Sequence, residues 1–196
     1  MKPQYHFPVK PFRLNQAWGI LNSIYNQFGF SRHNGIDFAL GTDKTVRYPW
    51  SGTGTVVRVG DQPNGGGIFV GIMSNELYEF DDRRGARILS DFLHCEKLLV
   101  GLGDKVRTGD PIAVADNTGF STGPHTHEQD RRVKTWNGLV GQRLQWAALD
   151  DNDANGSFDP LRYASLRYSE DIGTMRDLIV RLTNLVQRWV VYQNKQ

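Results

Sequence analysis

From residue 5 to about residue 165 the chain breaks into short runs rich in Val, Ile, Phe and Tyr, separated by glycine, proline and polar turn residues. Residues 53–59, Thr-Gly-Thr-Val-Val-Arg-Val, form one such run between Gly52 and Gly60. Residues 67–73 form another, after the turn Pro63-Asn-Gly-Gly-Gly67. Ile88 to His94 reads as a further strand, and Lys105-Val106 and Pro111-Ile-Ala-Val114 flank the turn Arg107-Thr-Gly-Asp110. Strands this closely spaced, with no helical period between them, predict a mainly β fold with an antiparallel core. The charged stretch from Asn75 to Gly85 is expected to be an exposed hairpin or loop, and residues 150–156 a polar turn.

Past residue 165 the pattern changes. Tyr168, Ile172, Met175, Ile179, Leu182, Val186 and Trp189 recur at steps of four and three, with Arg, Asn, Asp and Gln off that seam. The spacing predicts one amphipathic α-helix over 170–193, with Asp171 suited to its N-terminus. Two units follow, a β domain over 5–165 and a helical extension over 166–196. The helix can pack back on the β domain or self-associate with a second copy through its seam. Its polar face mixes Asp and Asn with Arg, which argues against a membrane surface.

Composition narrows the function classes. A hydrophobic fraction of 39% permits a real core, and a net charge of +2 is too weak to argue for nucleic acid. One cysteine, Cys95, excludes an intrachain disulfide. No run approaches the roughly 20 apolar residues of a membrane span, so no integral membrane segment is expected. Residues 1–8 carry no signal-peptide pattern. A target outside the cell membrane would then be reached from the cytoplasm by phage-type release or a non-classical export route.

The chemistry sits in the histidines. Three of the five fall in two short patterns, His33-Asn-Gly-Ile-Asp37 and Gly123-Pro-His125-Thr-His127, and His94 lies between them. Residues two apart in a strand share a face, so His125 and His127 should look into one pocket. Two imidazoles and a carboxylate can hold zinc and leave one position open for water. Further imidazoles nearby can handle protons near neutral pH. Cys95 should point away from His94 as a buried thiol.

These motifs resemble those of the lysostaphin-type (LytM-like) zinc metallopeptidases, which cut peptide bonds in bacterial peptidoglycan. Residues 32–39, Arg-His-Asn-Gly-Ile-Asp-Phe-Ala, match the family's H-x-G-x-D opening, and residues 49–56 match the segment after it. Leu93-His94-Cys-Glu-Lys-Leu98 with residues 103–109 matches the middle block, and residues 119–128 match the closing block. The resemblance covers roughly residues 5–165. It implies a lysostaphin-type β domain, one Zn2+ per chain on His33, Asp37 and His127, and peptidoglycan peptide as partner. It implies His125 as the base acting on water and His94 as the second non-ligand histidine, stabilising the oxyanion. Two departures stand out. Glu128-Gln-Asp130 replaces the usual apolar continuation, and the insertion around 74–90 is longer than in compact members and lies beside His94.

Two alternatives stay open on the sequence. One is a catalytically inactive binding or regulatory module on the same fold, and the other is a virion-assembly protein that works through its helix. Asp151-Asn-Asp-Ala-Asn-Gly156 also has the opening of a calcium loop, with Asp151, Asp153 and Asn155 as candidate Ca2+ ligands. Position twelve is Arg162 where a carboxylate would complete the cage, so a solvated turn is the competing reading.

Overall fold

The computed structural model describes residues 1–149 and 156–164. The helix expected over 170–193, its self-association seam and the candidate calcium ligands Asp151, Asp153 and Asn155 lie outside the described residues. Twelve strands are described: β1 (Leu14–Gln16), β2 (Ile36–Ala39), β3 (Thr45–Arg47), β4 (Thr53–Gln62), β5 (Gly67–Ser74), β6 (Tyr78–Glu79), β7 (Gly85–Leu98), β8 (Lys105–Arg107), β9 (Pro111–Ala115), β10 (His125–Trp136), β11 (Trp146–Ala148) and β12 (Ser157–Phe158). Their main order in space is β1-β2-β10-β7-β5-β4-β8, and the described strand pairings are antiparallel. The mainly β, antiparallel expectation is borne out for this region. No helix among the described residues is long and apolar enough to cross a membrane.

β10 is the spine of the fold. It pairs with β2 and β12 on one edge and with β7 on the other. Its alternation sends His125, His127, Gln129 and Arg131 to an open groove. Thr126, Glu128 and Asp130 go to the opposite, fully buried face. Below that face lies the main core, built on Tyr5, Phe38, Tyr48, Trp50, Tyr78, Phe80 and Phe92. The rings interlock, with Tyr5 and Trp50 5.1 Å apart between centroids. Each large apolar side chain buried there stabilises by roughly 1.5–3 kcal/mol.

Three elements differ from the sequence reading. The segment from Asn75 to Gly85 is exposed at its tip, residues 81–85, and at Leu77 and Glu79, but not throughout. Tyr78 and Phe80 are fully buried, and β6 pairs with β7. Their acidic neighbours hid two core aromatics. β7 runs to Leu98, beyond His94, but its register shifts between Cys95 and Lys97 on β9 and opposite Ile68 and Val70 on β5. A short 3-10 turn, Ser23–Phe28, was not expected in a β domain. It is set by its ends, where the Asn22 side chain accepts from Ile24 N and Gly29 closes the turn at φ +80°. Six residues are too few to show a helical period.

Candidate metal centre

The register of β2 against β10 sets Asp37 opposite His127 and Ala39 opposite His125. His33, just before β2, completes the group. Three donor atoms converge: His127 Nδ1 to Asp37 Oδ1 is 2.9 Å, His33 Nε2 to His127 Nδ1 is 3.0 Å, and His33 Nε2 to Asp37 Oδ1 is 3.2 Å. A tetrahedral zinc site with bonds of about 2.0–2.1 Å has ligand-to-ligand edges of about 3.3 Å, so this triangle fits such an ion after a small expansion. All three residues are buried.

His33 is held from behind. His33 Nδ1–H donates to the carbonyl of Ala17 at 2.9 Å, which leaves the Nε2 lone pair facing the centre. The Tyr25 ring stacks on His33 at 5.3 Å. Gly35 explains itself by space, because a Cβ there would overlap His127 Nε2 and the carbonyl of Glu128. Burial by itself would raise the Asp37 pKa, but the close ring nitrogens of His127 and His33 hold it well below the usual carboxylate range. Burial lowers the pKa of His127, with hydrogen bonding to Asp37 opposing. Two neutral imidazoles and one carboxylate are the protonation states a divalent metal requires.

His125 and His94 flank this triangle, with ring centroids 4.8 Å apart. His125 Nδ1–H donates to the carbonyl of Gly123 at 2.8 Å, and its Nε2 stands 3.6 Å from Asp37 Oδ1. His94 Nδ1–H donates to the carbonyl of Thr118 at 2.8 Å. In both rings the partner fixes the tautomer and leaves Nε2 as the reactive nitrogen. His94 has φ +62°, a left-handed conformation that costs a non-glycine residue on the order of 1–2 kcal/mol. The twist puts both Leu93 and His94 in the groove while Phe92 and Cys95 enter the core. Burial, countered by the bond to Thr118, pulls the His94 pKa down to about 4, so the ring is neutral at neutral pH. Cys95 points into the core, as expected, and burial pushes its thiol up to about 12.

The groove has a volume of about 610 Å³. The sequence reading missed much of its lining. Tyr25 and Phe28 come from the 3-10 turn, and Phe28 meets Phe120 edge to face at 5.2 Å. Burial and the Asp37 charge push the Tyr25 hydroxyl up to about 12. Gln129 and Arg131 share the face of the two histidines, a consequence the two-residue period already carried. Arg58 and Asp91 had no such signal, because their contact joins distant strands.

Residues 31–137, more than half of the chain, match the profile described as Peptidase family M23. The chain belongs to that family. The matched span of this M23 chain contains all five residues of the centre, His33, Asp37, His94, His125 and His127. The glycyl-glycine endopeptidase ALE-1 of Staphylococcus capitis is 29% identical over 188 residues, covering 86% of this chain and 49% of that protein. The peptidoglycan DD-endopeptidase ShyA of Vibrio cholerae is 37% identical over 95 residues, covering 48% of this chain and 19% of the relative. The chain thus spans about a fifth to a half of the length of these curated relatives. Among solved structures, the catalytic domain of lysostaphin from Staphylococcus simulans superposes with a TM-score of 0.54 at 22% identity, covering 78% of this chain and 91% of that one. That likeness establishes the lysostaphin-type β fold of the M23 chain.

Proposed function

We propose that this protein is a zinc-dependent endopeptidase that hydrolyses peptide bonds in bacterial peptidoglycan and therefore works at the cell wall. The observation that carries this reading is the convergence of His33, Asp37 and His127 within 3.2 Å beside two imidazoles with fixed tautomers. Three protein donors with a remaining position for solvent are the catalytic form of a zinc site. The membership of family M23 and the printed activities of ALE-1 and ShyA point the same way.

A zinc ion held by these residues would supply Lewis acidity, acidifying water towards a pKa of about 7 and polarising the scissile carbonyl. The chain supplies the rest. His125, held by Gly123, takes the proton of the attacking water at Nε2 and returns it to the leaving amine. His94 rests neutral, with Nδ1–H on Thr118 and Nε2 free to accept from the attacking water. As the water attacks, His94 takes that water's second proton at Nε2, and the imidazolium so formed donates to the oxyanion, an interaction worth about 3–4 kcal/mol when preorganised. The proton then passes on to the departing amine. Asp37 keeps its charge and stands as the third donor beside the two ligand imidazoles. Phe28 and Phe120 wall the groove and limit bulk water.

The test is hydrolysis of purified walls of several chemotypes, with soluble peptides identified by mass spectrometry. The reading expects new amino termini from a crosslink or stem peptide, abolished by chelator and restored by zinc. Intact walls of every type with zinc bound to the protein would refute it.

A further inference from the structure

One row of residues runs straight across four strands beside the metal ligands. Gln129 on β10 pairs with Asp91 on β7, Asp91 with Gly71 on β5, and Gly71 with Arg58 on β4. The row lies one same-face step from His127, about 7 Å along β10. Gly71 is what makes the row work. A Cβ there would sit 2.5 Å from Arg58 Cγ and 2.5 Å from Asp91 Oδ1. With no side chain at Gly71, Arg58 lies flat across β5 and donates to Asp91 through Nε at 2.7 Å and through Nη2.

Asp91 also accepts from Arg131 Nη1 at 2.7 Å. Two guanidinium groups therefore share the Asp91 carboxylate. Asp91 is spent, with 3% of its side chain exposed, while Arg58 keeps 31%. Among the described residues Arg58 donates only to Asp91, so Nη1 faces the groove uncommitted. Burial lowers the Arg131 pKa, Asp91 opposes, the like charge of Arg58 lowers it further, and Asp130 opposes again. At the near end of the row, Gln129 is 4% exposed, lines the groove, and its buried amide nitrogen has no partner among the described residues. A polar group buried without a partner costs about 1–3 kcal/mol, which a ligand acceptor would relieve.

We infer that this row is a carboxylate subsite, in which Arg58 and Gln129 hold a free carboxylate of the peptide about two residues from the scissile bond. Two residues of extended chain span the step of about 7 Å between the rows. The inference rests on the peptidase reading for its peptide, but the uncommitted Arg58 nitrogen and the unpartnered Gln129 amide stand without it. Arg58 and Gln129 are then specificity residues, favouring stem peptides with free acids over the same peptides amidated. The contact is partly exposed, so the preference should shrink as salt rises.

The test compares purified crosslinked muropeptides with free stem carboxylates against the same muropeptides after chemical amidation. Zinc-loaded wild-type protein should cleave the acid form with a kcat/KM about tenfold higher, mainly through KM. Arg58→Gln should pull that ratio towards one, and Arg58→Lys should keep part of it. Asp91 retains Arg131 in both variants, and thermal unfolding checks their fold. Should Arg58→Gln not fold, the wild-type ratio decides alone. Equal rates on the two forms by wild-type protein overturn the subsite and leave the peptidase reading intact. Cleavage of neither form removes the peptidase reading. Calorimetric binding of the same pair then decides the subsite, with about tenfold tighter binding of the acid supporting it and equal or absent binding overturning it.

Discussion

On the groove side of β10, opposite His127, a buried carboxylate stays ionised, while on the core side of the same strand two buried carboxyls are driven towards their neutral forms. Asp37 and Asp130 are both buried aspartates, 8% and 0% exposed. Their neighbours separate them. Asp37 is 2.9 and 3.2 Å from imidazole nitrogens, and those neighbours overcome the cost of burial. Asp130 accepts from Trp50 Nε1 at 3.0 Å and from Ser90 Oγ, which are neutral donors. Burial wins there and raises its pKa to about 6. Glu128 accepts from Tyr5 at 2.6 Å, and burial together with the Asp130 charge pushes it well above the usual range. Burial alone therefore does not decide the state of a carboxyl in this sheet. The charge and protons offered by the facing side chains decide it, and β10 offers a different set on each face.

The largest effect that separates the two faces is expected from Asp37→Asn set against Asp130→Asn. The first removes the ionised ligand and should weaken zinc binding by about 100-fold or more, with wall hydrolysis lost alongside. The second should leave zinc stoichiometry and hydrolysis in place. Metal analysis after dialysis, paired with a wall-clearing assay, checks both. Loss of zinc in the core-face variant alone would invert the assignment.

Next in size is His125→Ala. It stands on the groove face but outside the ligand triangle. Zinc should remain bound while kcat falls about 10²- to 10⁴-fold. Near-normal turnover would remove His125 as the base.

The smallest effect concerns stability. The folded-state pKa of Asp130 is raised to about 6 from 3.8, so folding binds its proton more tightly. That contribution is fully present below about pH 4 and is lost as pH rises through about 6. Asp130→Asn removes the titration while keeping an oxygen for Trp50 and Ser90. At pH 7 the variant should be more stable than the wild type by on the order of 1–3 kcal/mol. Urea unfolding at pH 4 and pH 7 measures the difference. A variant that loses stability at pH 7 would show that the ionised carboxylate is what the core requires.

The same contrast explains how much the sequence disclosed. The groove face was legible because His125 and His127 sit two apart and Asp37 follows His33 at a short interval, so strand periodicity and metal chemistry give one answer. The strands β4, β5 and β9 were legible from Val- and Ile-rich runs between glycines. The core face was not, since Glu128 and Asp130 look like surface residues until Tyr5, Trp50 and Ser90 arrive from distant strands. Tyr78 and Phe80 were hidden in the same way by charged neighbours. The left-handed turn at His94 depends on two flanking pairings that change register there, which no local pattern encodes. The Arg58–Asp91 pair needed Gly71 between them, a condition that only the strand order exposes.

The most direct test of the central claim is a zinc titration of metal-stripped protein, following bound zinc and peptide release from walls in the same samples. The account predicts no hydrolysis at zero zinc, a linear rise, and a break at one equivalent per chain, with His127→Ala showing neither tight binding nor release. Full hydrolysis by the stripped protein, or saturation of the site with no hydrolysis at any zinc ratio, would contradict it.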